Sequence, residues 1–319
     1  MEKFGESLSI NEVFKDREKF IPEVGEQLEK ETKAEIEIGE EKLNVDYRII
    51  SIKETENKDA KPVVLLPGFG SGWEGISELG FSLACEGRKV IMISLPGYGN
   101  SDNPSEKYYE TDGFSNETEA VKKALEKMDL KDDKFHLIGH SMGSEIMASF
   151  AEKYSDETSS LTLLNPAGVN ERENPVAMGS KFILSGIHTT AEFKIREFFS
   201  GEEDYERKIW GHIPKAKSPF SKERIKQRLA EIKKLSKGQL LEKLEKIKNP
   251  VIYISGKLDT VYPSGKENDT NSQLAKVVES VNDKSKIEKS VMLGLRHNTT
   301  IAPDEITAAN IEHYLEKVE

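Results

Sequence analysis

The sequence predicts an α/β protein: a mostly parallel sheet, preceded by an antiparallel hairpin and interrupted by a helical insertion. Three observations carry this reading. Short, continuous apolar runs alternate with helix-length amphipathic stretches over residues 62–168, and again from 250 to the end. Such runs suit strands covered on both faces, as in a parallel sheet. Before residue 62 the apolar period is two, and between 168 and about 237 the chain reads helical and charged.

The elements follow in order. Residues 1–33 are rich in Glu and Lys, with Phe14, Phe20, Ile21, Val24 and Leu28 at weak spacing, and read as a helical arm that packs on the body or on a partner. Ile36 and Ile38, then Leu43, Val45, Tyr47 and Ile49, alternate with polar residues about Gly39-Glu40-Glu41, which reads as a hairpin with one solvated face. Val63–Leu66 is the first buried-type strand; it runs into Pro67-Gly68-Phe69-Gly70, and a helix over about 75–86 follows. The strand at 90–95 ends in Pro96-Gly97-Tyr98-Gly99. Ala120, Val121, Ala124, Leu125 and Met128 form the apolar stripe of a helix over 116–128.

A third strand, 135–138, enters Gly139-His140-Ser141-Met142-Gly143, and a helix runs from there to about Tyr154. The strand at 161–164 ends in Asn165-Pro166-Ala167-Gly168, where the alternation stops. Within the insertion, Ile225, Leu229, Ile232 and Leu235 mark one helix, and the Lys/Glu-rich stretch 221–248 reads as a solvated helical face. A second helix, with Leu240, Leu241, Leu244 and Ile247, leads back to Asn249-Pro250. Strands at 251–255 and Ile287–Met292 flank a helix near 272–281, and a closing helix begins near Pro303. The expected organisation is an arm (1–33), an α/β core (34–168 and 245–319) and a helical cap (169–244).

Composition excludes several functions. Among 319 residues, 46 Lys+Arg stand against 57 Asp+Glu, a net charge of −11. No basic face for a phosphate backbone is evident, so nucleic acid is not an expected partner. The same balance disfavours a polybasic membrane-surface role. One cysteine, Cys85, rules out an intrachain disulfide framework and a cysteine zinc site; its helical neighbours suit a small buried side chain. No run approaches 18 apolar residues, and the acidic N-terminus lacks an apolar leader core, so the expectation is a cytoplasmic protein without a stable membrane anchor.

The chemistry centres on Gly139-His140-Ser141-Met142-Gly143, a G-x-S-x-G pattern between an apolar strand and a helix. That context is the nucleophile elbow: small flanking residues permit a sharp turn that lifts the hydroxyl above the sheet edge, beside a helix N-terminus. A serine hydroxyl needs a base, and the base an orienting carboxylate. In such a fold the order is Ser, acid, His. Of six histidines, His136 and His140 precede the serine, His188 and His212 fall in the insertion, and His313 lies on the closing helix. His297, directly after the last strand, is the base by position. Asp259, after the 251–255 strand, is the acid; the alternative position, after the preceding strand, holds Asn165, whose amide stabilises an imidazolium less well. Two oxyanion donors are expected: the Met142 N–H and the Phe69 N–H, with Gly70 as fallback for the latter. Gly70, His140, Phe182 and Phe198 are candidates to touch substrate, although the apolar side chains of the insertion equally suit packing of the cap onto the body.

With these pieces in place, the chain resembles the α/β-hydrolase fold superfamily, of the lid-bearing serine esterase and lipase type. The resemblance rests on LLPGFGSG at 65–72, SLPGYGNSD at 94–102, LIGHSMGS at 137–144, LLNPAG at 163–168, LEKIKNPVIYISGKLDTVYP at 244–263 and GLRHN at 294–298, in the family's order. It implies a Ser141–Asp259–His297 triad, Phe69 and Met142 as oxyanion donors, and a mobile cap. One departure is Pro67, where the family usually has a histidine that braces the oxyanion loop. The expected function is hydrolysis of a small carboxylic ester or similar acyl compound, with no metal or organic cofactor. The same site also suits a C–C bond hydrolase, a small-substrate peptidase or a cofactor-free perhydrolase, and the fold admits a non-catalytic binder.

Overall fold

A computed structural model of the chain describes residues 17–128, 130, 134–169, 174–180, 221–222, 224–257, 259, 261–262, 265, 272–292 and 304–319. The described strands form one eight-stranded sheet in the order β1-β2-β4-β3-β5-β6-β7-β8. The strands are β1 Lys33–Ile38, β2 Glu41–Ile50, β3 Val63–Leu66, β4 Val90–Ile93, β5 Phe135–His140, β6 Thr158–Leu164, β7 Val251–Gly256 and β8 Ile287–Met292. Only the β1–β2 and β2–β4 pairings are antiparallel; the rest are parallel. Strands β3, β4, β5 and β7 are buried along their whole length; β3 and β4 are unbroken apolar runs, while β5 buries His136 and His140 and β7 buries Ser255 as well.

Helices cover both faces. On one lie α1 (Ile21–Glu29), α2 (Ser77–Cys85) and α8 (Asp304–Val318), whose Val24, Leu28, Leu79, Leu83, Ile311 and Leu315 share a core with Val63, Leu65 and Met92. On the other lie α3 (Ser115–Lys127), α4 (Met142–Lys153), α6 (Leu240–Leu244) and α7 (Gln273–Ser280), which bury Val121, Ile146, Leu240 and Val277 against Val64, Leu137 and Tyr253. A further helix, α5 (Ile225–Leu235), belongs to the insertion between β6 and β7. The chain leaves β3 toward β4 but leaves β5 toward β6, on the opposite side. The β3/β5 boundary is therefore the topological switch point, where the strand ends open a crevice for a ligand.

Three expectations are corrected. First, the solvated face expected of the hairpin holds along β1 and at the start of β2, where Lys33, Glu35, Glu37 and Lys42 are exposed, but not over the second half of β2. Asp46 and Arg48 are fully buried, while Tyr47 and Ile49 are only partly so. The reason is the N-terminal arm: α1 packs on the body, and its Leu28 carbonyl accepts a 2.6 Å hydrogen bond from Arg48 Nε. Second, the charged stretch of α5 is not all solvated. Arg224, Gln227, Arg228, Glu231 and Lys234 are buried, whereas Ile225 and Leu229 of the apolar stripe are exposed. Third, Cys85 is half-buried rather than fully enclosed, packed against the α1/α2 core.

Candidate active site

Ser141 adopts φ 52 and ψ −115. For a residue with a side chain this is a strained conformation, and such strain persists only where the surroundings over-determine it. Here they do. The Ser141 N–H donates to the Leu164 carbonyl at 3.0 Å, and its own carbonyl accepts from Ser144 N at 3.0 Å and Ala167 N at 3.1 Å. The glycines on either side explain themselves: a Cβ on Gly139 would lie 2.3 Å from the Gly143 carbonyl oxygen, and one on Gly143 would lie 2.5 Å from the Leu66 oxygen. The turn between β5 and α4 thus presses α4 against the end of β3.

The loop after β3 comes to the same place. A Cβ on Gly68 would stand 3.0 Å from both Ser141 Cβ and His140 Nδ1, so only glycine lets the loop pass this close. Phe69 and Gly70 follow, half-buried. Met142 is the first residue of α4, and its N–H has no carbonyl four residues back to bond. Ser141, Met142, His140 and Gly68 therefore share the crevice mouth at the switch point.

Asp259 lies just past β7 and is buried. Its Oδ1 accepts 2.8 Å hydrogen bonds from the Val261 and Tyr262 backbone N–H groups, and its own N–H donates to the Gly256 carbonyl at 3.1 Å. This is a fixed carboxylate, two strands from Ser141 in the sheet order. At about 4.8 Å per strand the gap is roughly 10 Å, room for an intervening imidazole. Asn165, at the end of β6 with φ 45, points its Oδ1 at the Gly256 N–H (2.7 Å) and so ties the ends of β6 and β7 together. His297, Phe182, Phe198, His188 and His212 lie outside the described residues. His136 is buried between Ser160 Oγ (2.7 Å) and Glu319 Oε1 (3.1 Å), and burial pushes its pKa down to about 4. It is a neutral packing histidine.

With proline at 67 in place of a histidine, the loop after β3 is braced by groups that sequence reasoning missed. The brace is the buried group on β2. Trp73 donates its indole N–H to Asp46 Oδ2 at 2.8 Å and its backbone N–H to Ser94 Oγ at 2.9 Å. Arg48 holds the other carboxylate oxygen at 2.6 Å and lies 4.4 Å from the Trp73 ring centroid. Gly72 N–H is capped by Glu74 Oε1 at 3.0 Å. A tryptophan five residues past Gly68 was the available signal; its partners, three strands' worth of chain away, were not. Trp73→Phe strands a buried carboxylate oxygen and is expected to lower stability by about 1–3 kcal/mol in urea unfolding.

The insertion is clamped to the body by polar groups. Arg224 Nε donates to Asn103 Oδ1 (2.7 Å), Gln227 Nε2 to the Pro104 carbonyl (3.0 Å), and Tyr98 Oη to Glu231 Oε2 (2.6 Å). Lys234 pairs with Glu117 at 3.0 Å, both buried. The Arg228 guanidinium lies 3.6 Å from the Tyr98 ring centroid and 6.0 Å from that of Phe69, which connects α5 to the loop beside Ser141. A cavity of about 390 Å³ lies between α5 and the 3₁₀ turn Glu106–Glu110; its lining includes none of Ser141, Met142, Phe69 or Asp259. Among the described residues no group of three or more His, Cys, Asp or Glu is arranged to hold a metal, and no helix is long and apolar enough to cross a membrane.

Fold and strained serine turn define a class, and comparison with known proteins agrees. The chain belongs to the alpha/beta hydrolase fold family, whose profile matches residues 61–284. Over 187 residues it is 30% identical to a Sus scrofa protein named 1-acylglycerol-3-phosphate O-acyltransferase ABHD5, covering 53% of this chain and 52% of that one. Over 185 residues it is 27% identical to Lipase 3 of Moraxella sp. (strain TA144), covering 56% and 55%. The chain thus spans about half the length of these relatives. Among solved structures, a thermophilic esterase from Thermogutta terrifontis superposes with a TM-score of 0.60 at 17% identity, over 91% of this chain and 99% of that one. Identity at that level speaks for the fold alone.

Proposed function

We propose that this protein is a serine hydrolase of small carboxylic esters or related acyl compounds. Ser141 is the nucleophile, His297 the base and Asp259 the acid that orients it. The observation that carries the reading is Ser141 held at φ 52 against Gly68 at the switch point, beside the N-terminus of α4. In this reading Ser141 Oγ attacks the acyl carbonyl while His297 takes its proton. The developing oxyanion is stabilised by the Met142 and Phe69 N–H groups. His297 then protonates the leaving alcohol, and water, activated by the same imidazole, releases the acid. Asp259 balances the imidazolium. No cofactor enters these steps.

A p-nitrophenyl ester series from acetate to palmitate tests it. The expected result is turnover with a defined chain-length optimum, and labelling of Ser141 by a fluorophosphonate. Absence of both turnover and labelling would overturn the proposal. A second reading is favoured by the relative named as an O-acyltransferase: an alcohol, rather than water, receives the acyl group from Ser141. Product analysis with and without an added glycerol acceptor separates the two.

A further inference from the structure

Over its first half helix α5 is turned inside out, although Leu235 at its end is buried and Ile232 packs on the core. It buries Gln227, Arg228, Glu231 and Lys234 on the body and leaves Ile225 and Leu229 49% and 62% exposed. A helix that seats its charged face and shows its apolar one departs from the usual amphipathic arrangement. The exposed face is ordered. Ile225, Leu229 and Lys233 recur at spacings of four and four, which places them on one stripe of α5, and the exposed Lys222 lies in the turn just before the helix. Lys226, also exposed, flanks the pair and bonds Glu106 Oε1 at 2.7 Å. No described acidic group contacts Lys222 or Lys233, and the one acid of the helix itself, Glu231, faces inward.

The patch extends beyond α5. Five large apolar side chains are exposed among the described residues, and three of them, Val176, Ile225 and Leu229, fall in the insertion. Val176 is 81% exposed on the helical stretch 175–180, which runs beside α5: a Cβ on Gly179 would sit 3.7 Å from Ile232 Cδ1. Lys226 and Lys233 also line the 390 Å³ cavity between α5 and the 3₁₀ turn Glu106–Glu110, together with Glu106 and Glu110 themselves.

We propose that the outward face of α5 is a reversible docking surface for an anionic lipid bilayer. Ile225 and Leu229 enter the boundary between headgroups and acyl chains, while Lys222, Lys226 and Lys233 lie along the lipid phosphates. Apolar area flanked by lysine is the pattern of an interfacial helix. A net charge of −11 does not oppose it, because the attraction is local and fades within a Debye length. The proposal is independent of the catalytic reading.

The test is co-sedimentation of the full chain with phosphatidylcholine vesicles, with and without phosphatidylglycerol. Binding is expected to phosphatidylglycerol-containing vesicles, to weaken with salt, and to be far lower on phosphatidylcholine alone. Ile225→Ser/Leu229→Ser is expected to lower partitioning about tenfold or more. Neutralising Lys222 and Lys233 to Gln is expected to cost about fivefold for each lysine. Both side-chain sets are exposed, so an unchanged thermal midpoint confirms that the variants fold, whether or not the protein hydrolyses an ester. The proposal fails if the wild-type chain leaves anionic vesicles unbound, or if the double serine variant binds as well as wild type. It fails too if that variant instead dissolves an oligomer, which would make a second copy of the chain the occupant.

Discussion

Ser141→Ala is expected to remove ester turnover by about 10³-fold at least and toward 10⁶-fold, with the fold intact. The side chain of alanine fits the site, since it keeps the Cβ that already packs beside Gly68 and drops only the hydroxyl. The backbone at φ 52 is as strained for alanine as for serine, so stability changes little. Asp259→Asn is expected to lower kcat about 10⁴-fold while leaving fluorophosphonate labelling slow but present, because an amide favours the wrong imidazole tautomer. The same substitution keeps an oxygen able to accept from the Val261 and Tyr262 N–H groups, so the loop after β7 holds. Loss of turnover in both variants with thermal midpoints essentially unchanged is the signature of one catalytic unit. Full activity in Ser141→Ala would move the chemistry elsewhere.

Glu145→Gln is expected to flatten the alkaline loss of stability. Glu145 lies on α4, four residues after Ser141, and is fully buried where the insertion leaves and re-enters the core. A Cβ on Gly168, at the exit, would touch Glu145 Oε2 at 2.3 Å, and the returning chain bonds back to the exit through Leu240 N–H to the Gly168 carbonyl at 3.2 Å. Neither carboxyl oxygen has a well-formed hydrogen bond. Burial raises its pKa to about 8, and Lys243 and the Gln239 N–H offset this only in part. An unfolded Glu ionises near 4.5, so between about 4.5 and 8 the unfolded chain binds fewer protons than the folded one. The stability from this group is therefore full below about 4.5, falls through that window, and levels above about 8. The total is of the order of several kcal/mol. Glu231, pushed to about 8 mainly by burial, adds a parallel fall that the variant retains. His136, held near 4, contributes a rise between about 4 and 6.5 that is common to both proteins and cancels on subtraction. Urea midpoints across pH 5–9 read the difference; parallel wild-type and variant curves would refute the assignment.

Much of the parallel sheet was legible because its strands are buried on both faces. Val63–Leu66 and residues 251–255 have no polar partner face, and nothing else soluble reads that way. The serine turn was legible for a related reason: Gly139 and Gly143 are demanded by backbone contacts within five residues of Ser141 and with the end of the preceding strand. The family matched over 61–284 agrees with the resemblance those motifs carried. Asp259 could be named from its place after a strand, and the structure finds it buried and fixed by its own loop.

What the sequence could not decide depends on what covers what. Asp46 and Arg48 alternate with apolar residues and so read as solvent-facing; only the seating of α1, with Leu28 over Arg48, makes them a buried ion pair that braces Trp73. The stripe Ile225, Leu229, Ile232 and Leu235 announced a helix correctly, but only Ile232 and Leu235 meet the core, while Ile225 and Leu229 face outward. Periodicity reports that two faces differ, not which one meets the body. Tyr98, Asn103 and Glu117 offer hydrogen bonds and charge to Glu231, Arg224 and Lys234, and that match turned the polar face inward. The sequence by itself determined most strands and the tight serine turn, because short apolar runs and small residues beside Ser141 mark them locally. The tertiary structure alone decided which charges are buried, since that depends on partners brought together from separate elements, 20 residues apart for Arg48 and Leu28 and 133 for Tyr98 and Glu231.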